Sequence, residues 1–284
     1  MKISFFNKIQ KIFKSLGYYF RVYYHSIIYL CKKKIRKTLR RFKKIKIVDP
    51  YSFVILCVKN KNYVKLAINN INSLHYLNPS HKFSIHCDDI CYEELQKNQK
   101  AIDYKKNVHI SNLYQNDGRP WQLSKIESLI TAGKNNQILI DADSLWHNDP
   151  KINFDKIIFQ VRSSKFRERK DESLVMSNLF IKPEWLEFDH YVTGFVSIPS
   201  KFMSEKLVND FRYLTDKILT DDLYFLDDSQ KENITRISEE LAVNIAVQSN
   251  YDKEYISTLK INDVKGDKNI FQSLYFGCAN KIIE

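Results

Sequence analysis

The chain has 284 residues, of which 44% are hydrophobic and 13% aromatic, and it contains only six glycines and six prolines. This length allows one substantial core with an appendage, and the composition excludes a disordered protein. The net charge of +12 is uneven, because residues 1–50 contain 15 Lys and Arg but only one acid, whereas the remainder carries 30 bases and 32 acids. A nucleic-acid-binding surface would make that remainder positive, so we expect no nucleic-acid partner.

The cysteines indicate the redox compartment. Their number is odd and no C-x-x-C pair occurs, which fits reduced, buried thiols in a cytoplasmic protein. A zinc site of Cys87, Cys91 and His86 is the alternative, although no second ligand pair follows at a suitable spacing. The remaining cysteines are Cys31, Cys57 and Cys278.

Residues 1–49 have the pattern of a basic amphipathic helix. Apolar residues recur every three or four positions from Phe5 to Phe42, as on one face of a helix. The longest uncharged stretch has ten residues, whereas a bilayer span needs about 20. A secretory signal is also a poor match, because lysines stand where a small-residue cleavage site is expected.

The charge of this segment predicts a membrane partner. Ten of the fifteen residues from Lys32 to Lys46 are Lys or Arg, as in helices that lie among lipid headgroups. We therefore predict that residues 1–48 bind an anionic surface at the cytoplasmic, inner face of the cell membrane. A solvated helix that packs on its own domain or on a second subunit is one alternative, and a nucleic-acid arm is another.

From residue 50 the sequence alternates between short apolar runs and helical periodicity. This order predicts an α/β domain over residues 50–284, with a mostly parallel, Rossmann-like sheet and helices on both faces. The run at Phe53–Val58 is typical of a strand buried on both faces. The elements predicted after it are a helix at Val64–Leu77, a strand at Lys82–Cys87, a helix at Tyr92–Gln99 and a strand at Val108–Ser111.

Two acids follow the next predicted strand. A helix at Trp121–Ala132, ended by Gly133, leads into the apolar strand Gln137–Ile140. Asp141 and Asp143 come directly after it, at the carboxyl end of a central strand, where open α/β sheets bind ligands.

Residues i and i+2 of an extended segment point to the same side, so Asp141 and Asp143 can hold one cation. Their oxygens suit magnesium or manganese, which bridge protein carboxylates to substrate phosphates. In transfer from a nucleotide sugar, such a metal neutralises the charge that builds on the departing diphosphate. The alternative is a structural turn at the strand end, helped by the Asn-Asp-Pro sequence at residues 148–150.

Five stretches resemble GT-A-type glycosyltransferases with a D-x-D motif, including those that build bacterial surface polysaccharides such as capsule or lipopolysaccharide. WQLSKIESLITAGKNNQILIDADSLWHNDP, residues 121–150, resembles their Lys-bearing helix, strand and D-x-D segment. FVILCVKNKNYVKLAINNINSL and FSIHCDD are similar to their first donor-binding strand and helix and their second strand. HYVTGFVSIPSKF and ISEELAVNIAVQS are similar to the strand beside the sugar and to a late acid-plus-helix segment.

The resemblance implies a GT-A-like fold that binds a nucleotide-sugar donor, with a metal held by Asp141 and Asp143. Many relatives have a third metal ligand, a histidine, near the C-terminus, but the comparable stretch here, Ser273–Lys281, has none. Water and phosphate oxygens then complete the metal shell, or the metal binds weakly. The implied donor-binding residues are Cys57, Val58 and Lys59 near the base, Asp88 near the base or ribose, Lys125, Asp141, Thr193 and Gly194 beside the sugar, and Lys281 near a phosphate.

Glu239 and Glu240 open a mostly apolar helix after Ser238. One of them is predicted to be a general base on the acceptor hydroxyl or to orient the acceptor. The alternative is that they only stabilise the first turn through the helix dipole. The histidines show no spacing that suggests a joint site, and we expect core or surface positions for His86, His109, His147 and His190.

The sequence therefore predicts a metal-dependent glycosyltransferase, acting on hexosyl or related groups, that moves a sugar from a nucleotide-sugar donor to a glycan or lipid-linked acceptor. The alternative is a catalytically inactive GT-A-like scaffold or binding partner in a membrane polysaccharide assembly complex. The missing C-terminal histidine is its main support.

Overall fold

The computed structural model describes residues 50–98, 107–115, 118–146, 150, 152–259 and 271–273. The predicted arm over residues 1–49 lies outside these ranges, as do His147, Lys281 and two of the cysteines, Cys31 and Cys278. Within the same ranges, no helix is both long and apolar enough to cross a membrane.

The predicted α/β architecture is present. The strands are β1 (Ser52–Cys57), β2 (Lys82–Asp88), β3 (Val108–Tyr114), β4 (Ile138–Ile140), β5 (Ser144–Trp146), β6 (Ile157–Lys165), β7 (Asp189–Ser197), β8 (Ile256–Thr258) and β9 (Phe271–Ser273). In the described part of the chain they form a seven-stranded sheet in the order β3-β2-β1-β4-β7-β6-β8, and a two-stranded sheet of β5 and β9. Strand β7 is antiparallel to its neighbours β4 and β6, whereas the other neighbouring strands of the large sheet are parallel.

Helices cover both faces of the sheet. They are α1 (Asn62–Leu77), α2 (Asp89–Lys97), α3 (Trp121–Lys134), α4 (Lys170–Leu174), α5 (Glu205–Thr220), α6 (Asp228–Arg236) and α7 (Ser238–Asn250). Apolar residues of α1 and α2 pack in one core cluster with Phe53 and Ile55 of β1. Val54 of the same strand faces the other cluster, with α3, α5 and α7. The apolar run of β1 is therefore buried on both faces, as parallel central strands are.

The elements predicted between residues 53 and 140 are all present, with ends moved by up to three residues. The prediction that Gly133 ends its helix is wrong, because α3 continues to Lys134 and the left-handed residue beyond it is Asn136, at φ 52°. Gly133 instead permits close packing. A Cβ added there would lie 2.6 Å from Met203 Sδ and 3.0 Å from the Ile198 carbonyl oxygen.

Candidate active site

A cavity of about 350 Å³ lies at the carboxyl ends of β1 and β4. This is the edge at which parallel sheets bind ligands, and the volume is within the range of small-molecule sites. Of the predicted site residues, it brings together Val58, Lys59, Lys125, Asp141 and Asp143. The sequence reading missed the other lining residues, which are Leu56, Asn60, Tyr63, Trp121 and Ala142.

The turn that carries the two aspartates is held from both sides. The Asp141 backbone N–H donates to the carbonyl oxygen of Gly194 on β7, at 2.9 Å. Asn70 of α1 donates to the Asp141 carbonyl oxygen at 2.7 Å and accepts from the Trp146 indole N–H at 3.1 Å. These contacts hold the backbone of the turn after β4 in place. Asp141 and Asp143 of this turn both line the cavity.

Asp143 is only 6% exposed. Burial, together with the negative charge of Asp141, raises the pKa of the Asp143 carboxyl to about 7. A divalent cation would offset this repulsion, and two carboxylates are the ligand type that magnesium and manganese prefer. The pair therefore fits a metal with two protein ligands. Among the described residues, no group of three or more His, Cys, Asp or Glu side chains is arranged to hold a metal ion.

Lys125 is a buried cation that contacts the aspartate turn. Its Nζ is 3.0 Å from Asp141 Oδ1 and 3.3 Å from Glu239 Oε1. Burial alone would lower the pKa of Lys125, but the charges of these two carboxylates outweigh it and hold that pKa above its ordinary value. The lysine therefore stays charged, and its ion pair with Asp141 helps to hold that side chain in place.

Glu239 and Glu240 are placed by the first turn of α7, and neither lines the cavity. Burial raises the pKa of Glu239 to about 7, against the opposing effect of Lys125. Burial acts on Glu240 too, but hydrogen bonding to His190 and to the Thr193 backbone, with the charge of Lys125, makes the pKa of Glu240 lower than usual. The two neighbours are thus chemically different groups at neutral pH.

Both oxygens of Glu240 have partners. Its Oε1 lies 2.8 Å from His190 Nε2, and its Oε2 accepts from the backbone N–H and the hydroxyl of Thr193, at 3.0 and 3.1 Å. Lys125 Nζ donates to the same hydroxyl at 3.5 Å. His190, which the sequence reading left outside the site, therefore contacts a predicted site residue.

Four other residues that were predicted to bind the donor do not line the cavity: Cys57, Asp88, Thr193 and Gly194. The Cys57 side chain is buried in the core, where hydrogen bonding to Cys91 is the main cause of its raised pKa. Asp88 accepts from the Lys59 N–H and caps α2 by accepting from the Cys91 N–H. It thereby holds Lys59, at φ 66°, in the left-handed region that residues other than glycine seldom adopt. Direct contact of Asp88 with a donor stays a prediction.

The predicted C-terminal and cysteine features are partly described. Backbone pairing places Ser273 opposite Ser144, the residue after Asp143, so β9 brings the start of the Ser273–Lys281 stretch beside the aspartate turn. Cys87 is free and buried, as are the two cysteines named above. His86 is buried 3.0 Å from the Ser128 hydroxyl, and burial lowers the pKa of its ring to about 4.

No protein-family model matches the chain, and no curated protein matches it. The solved structures that it resembles include the WbbM bifunctional glycosyltransferase, at 12% identity and TM-score 0.45, over 76% of this chain and 40% of that one. They also include glycosyltransferase GlyE of Streptococcus pneumoniae, at 12% identity and TM-score 0.43, over 74% of this chain and 45% of that one. The mannosyltransferase Ktr4p of S. cerevisiae gives 12% identity and TM-score 0.43, over 74% and 68%. The chain spans less than half of the first two, and similarity at this level says nothing of its chemistry.

Proposed function

We propose that this protein is a metal-dependent glycosyltransferase that moves a sugar from a nucleotide-sugar donor to a glycan or lipid-linked acceptor. The observation that carries the proposal is the cavity at the ends of β1 and β4, with Asp141, Asp143 and the buried Lys125 in its wall. Carboxylates at this edge of a parallel sheet are suited to hold a divalent cation against a diphosphate.

The residues that line the cavity have different roles in the proposed reaction. Asp141 and Asp143 would hold manganese or magnesium, which when bound neutralises charge on a departing diphosphate. Lys125 holds the Asp141 carboxylate in position through an ion pair. Tyr63 and Trp121 give the cavity two aromatic side chains, a type of surface on which nucleotide bases stack.

Calorimetric titration tests this proposal most directly. The protein is titrated with a panel of nucleoside diphosphates and sugar nucleotides, each with manganese and with chelator. We expect one nucleotide to bind with manganese and to lose most of its affinity in chelator, because the two carboxylates repel a diphosphate when no cation lies between them. A panel without any binding would contradict the proposal and favour the inactive scaffold.

We also propose that residues 1–48 bind the protein to an anionic membrane surface at the cytoplasmic face. The support is the concentration of charge, since the chain beyond residue 50 carries about as many acids as bases. Each base near an anionic leaflet adds about 1 kcal/mol of attraction.

Deletion of residues 1–48 should release the protein from liposomes that contain phosphatidylserine, while nucleotide binding persists. Sedimentation with these liposomes at low and physiological salt measures the release, and neutral liposomes are the control. A truncated protein that still sediments with anionic liposomes would refute the membrane arm.

A further inference from the structure

Helix α7 and strand β7 are joined by a ladder of hydrogen bonds, which we call the polar ladder. The register of β7 with β4 covers only residues 195 and 196, so the first half of the strand is bonded on that side by α7. Three side chains of α7, at intervals of four residues, bond the backbone of every second β7 residue: Glu240 with Thr193, Asn244 with Tyr191, and Gln248 with Asp189. Four helical residues rise about 6 Å and two strand residues about 6.7 Å, so the two sets stay in register.

Two rungs of the polar ladder are amides. Gln248 accepts from the Asp189 N–H at 2.8 Å and donates to the Asp189 carbonyl oxygen at 2.7 Å. Asn244 makes the same two bonds with Tyr191, at 2.7 and 2.8 Å. An amide suits this place, because it offers both an acceptor and a donor to the two polar groups of a strand residue. The packing of α7 against β7 is therefore enough to account for these two rungs.

The third rung, Glu240, departs from this pattern. A carboxylate can only accept, and one oxygen of Glu240 accepts from both the backbone N–H and the hydroxyl of Thr193. A glutamine could bond the Thr193 backbone as Gln248 bonds Asp189, so the polar ladder itself needs no charge here. The Glu240 side chain is also 15% exposed, against 5% for Glu239. Of the two acids, Glu240 is therefore the one that a ligand can reach, and its charge serves something other than packing.

A buried imidazole meets the other oxygen of Glu240. His190 Nε2 lies 2.8 Å from Glu240 Oε1, and the His190 side chain is only 3% exposed. Its ring packs edge-on against Phe166, with the ring centroids 5.8 Å apart. Its Nδ1 is buried without a hydrogen-bond partner among the described residues. Within that part of the chain, the contact with Glu240 is thus what distinguishes His190 from an apolar core residue.

The charged groups that face Glu240 come from three elements. They are Lys125 of α3, Glu239 of α7 and His190 of β7. Burial raises the pKa of Glu240, but its interaction with His190, together with a backbone hydrogen bond and the charge of Lys125, makes that pKa lower than usual. Lys125 also pairs with Asp141 and Glu239, so His190 supplies the contact that Glu240 does not share with these acids.

We propose that His190 is a positioning residue that holds the Glu240 carboxylate in place for the acceptor. The inference rests on the proposed function, in which this carboxylate acts on the acceptor hydroxyl or orients it. His190 contacts one oxygen of Glu240 and Thr193 bonds the other, so two residues of β7 set the orientation of the carboxylate. The same strand carries the Gly194 carbonyl that accepts from the Asp141 N–H. One strand therefore positions both the acid and the metal-binding turn.

Two substitutions of His190 test this role. His190→Phe keeps an aromatic ring and removes both nitrogens, whereas His190→Gln keeps a side-chain N–H. Turnover is measured with manganese and with water as the acceptor, as release of nucleoside diphosphate from the sugar nucleotide that binds wild type most tightly, from about pH 4 to about pH 9. We expect His190→Phe to lower kcat roughly 10-fold or more, with little change in KM for the sugar nucleotide.

The pH profile separates positioning from a purely structural role. The acid limb of kcat should move to higher pH in His190→Phe, because Glu240 loses an interaction that lowers its pKa. His190→Gln should show both effects to a smaller degree, and it carries the test if His190→Phe does not fold. Gln248→Met is the matched control, since it removes a rung of the polar ladder without touching Glu240. It should lower the melting temperature and leave the acid limb in place.

The outcomes separate this inference from the proposed function. If the His190 variants keep the kcat of wild type, the contact has no role in transfer. If they lower kcat and leave the acid limb in place, as in Gln248→Met, His190 has only a structural role. If wild type releases no nucleoside diphosphate at any pH, the proposed function fails and this inference fails with it.

Discussion

Asp143→Ala should lower the rate of sugar transfer by about 10³-fold or more and leave the protein folded. Asp143 stands in the cavity wall just after β4, and its charge is disfavoured by burial and by the charge of Asp141, so its removal should not unfold the protein. The loss of activity should be severe rather than graded, because the described residues offer no third carboxylate or imidazole to take its place. Asp143→Asn keeps the shape and removes the charge, so donor binding should lose its dependence on manganese.

Donor titration by calorimetry, with manganese and with chelator, measures this on wild type and Asp143→Ala. A matched control is Asp155→Ala, which removes an exposed acid whose partner is Lys201 on the surface. If wild type and Asp143→Ala bind the donor with equal affinity, both with manganese and with chelator, the two aspartates have only a structural role in the turn.

The same residue gives a pH dependence in the metal-free protein. The folded-state pKa of Asp143, about 7, lies above the value of about 3.9 for an unfolded aspartate. The folded form therefore holds this proton more tightly, so that stability is lost as pH rises between these values. In chelator, Asp143→Asn should melt above wild type at about pH 8, with a smaller difference at about pH 5.

The position of the aspartate turn could be predicted from sequence because it depends on local signals. A helix with apolar residues on one face is followed by a three-residue apolar strand, and both are present. The alternation of side chains along a strand also indicates which residues of β1 face the core and which face the cavity. Phe53, Ile55 and Cys57 share one face of β1 and lie in one core cluster. Leu56 faces the other way and lines the cavity.

The residues that support the site could not be predicted, because their partners are distant in sequence. His190 contacts Glu240 across 50 positions, and Asn70 holds the Asp141 carbonyl across 71. Their only signal is a polar residue within a buried stretch, such as His190 in strand β7. The antiparallel direction of β7 could not be predicted from the sequence either, because it depends on the path of the chain between residues 166 and 188.

Glu240→Gln should lower turnover by about 10²-fold or more, whereas Glu239→Gln should change it only a few-fold. The two substitutions are isosteric and adjacent, and at a pH well above 7 each removes one negative charge from the first turn of α7. Any helix-dipole contribution, about 0.3 to 1 kcal/mol, is therefore common to both. The difference between the variants reports the role of each carboxylate in the site.

The structure predicts this asymmetry from the partners of each group. The pKa of Glu240 is lowered, and its charged Oε2 accepts both bonds from Thr193, which a neutral glutamine would accept more weakly. Glu239 has a pKa of about 7, so glutamine resembles its protonated form, and Lys125 retains Asp141 as a partner. Turnover, melting temperature and the pH profile of kcat should be measured for both.

A general base at Glu240 would remove one limb of the pH profile when replaced, while an orienting carboxylate would lower kcat and leave the limb in place. Both variants at wild-type turnover would leave only the helix-dipole role for these acids. If both variants lose turnover equally and by a large factor, the ion pair of Lys125 with Glu239 matters as much for catalysis as the hydrogen bonds of Thr193 to Glu240. The buried charges would then act as one unit, and single substitutions would not be additive.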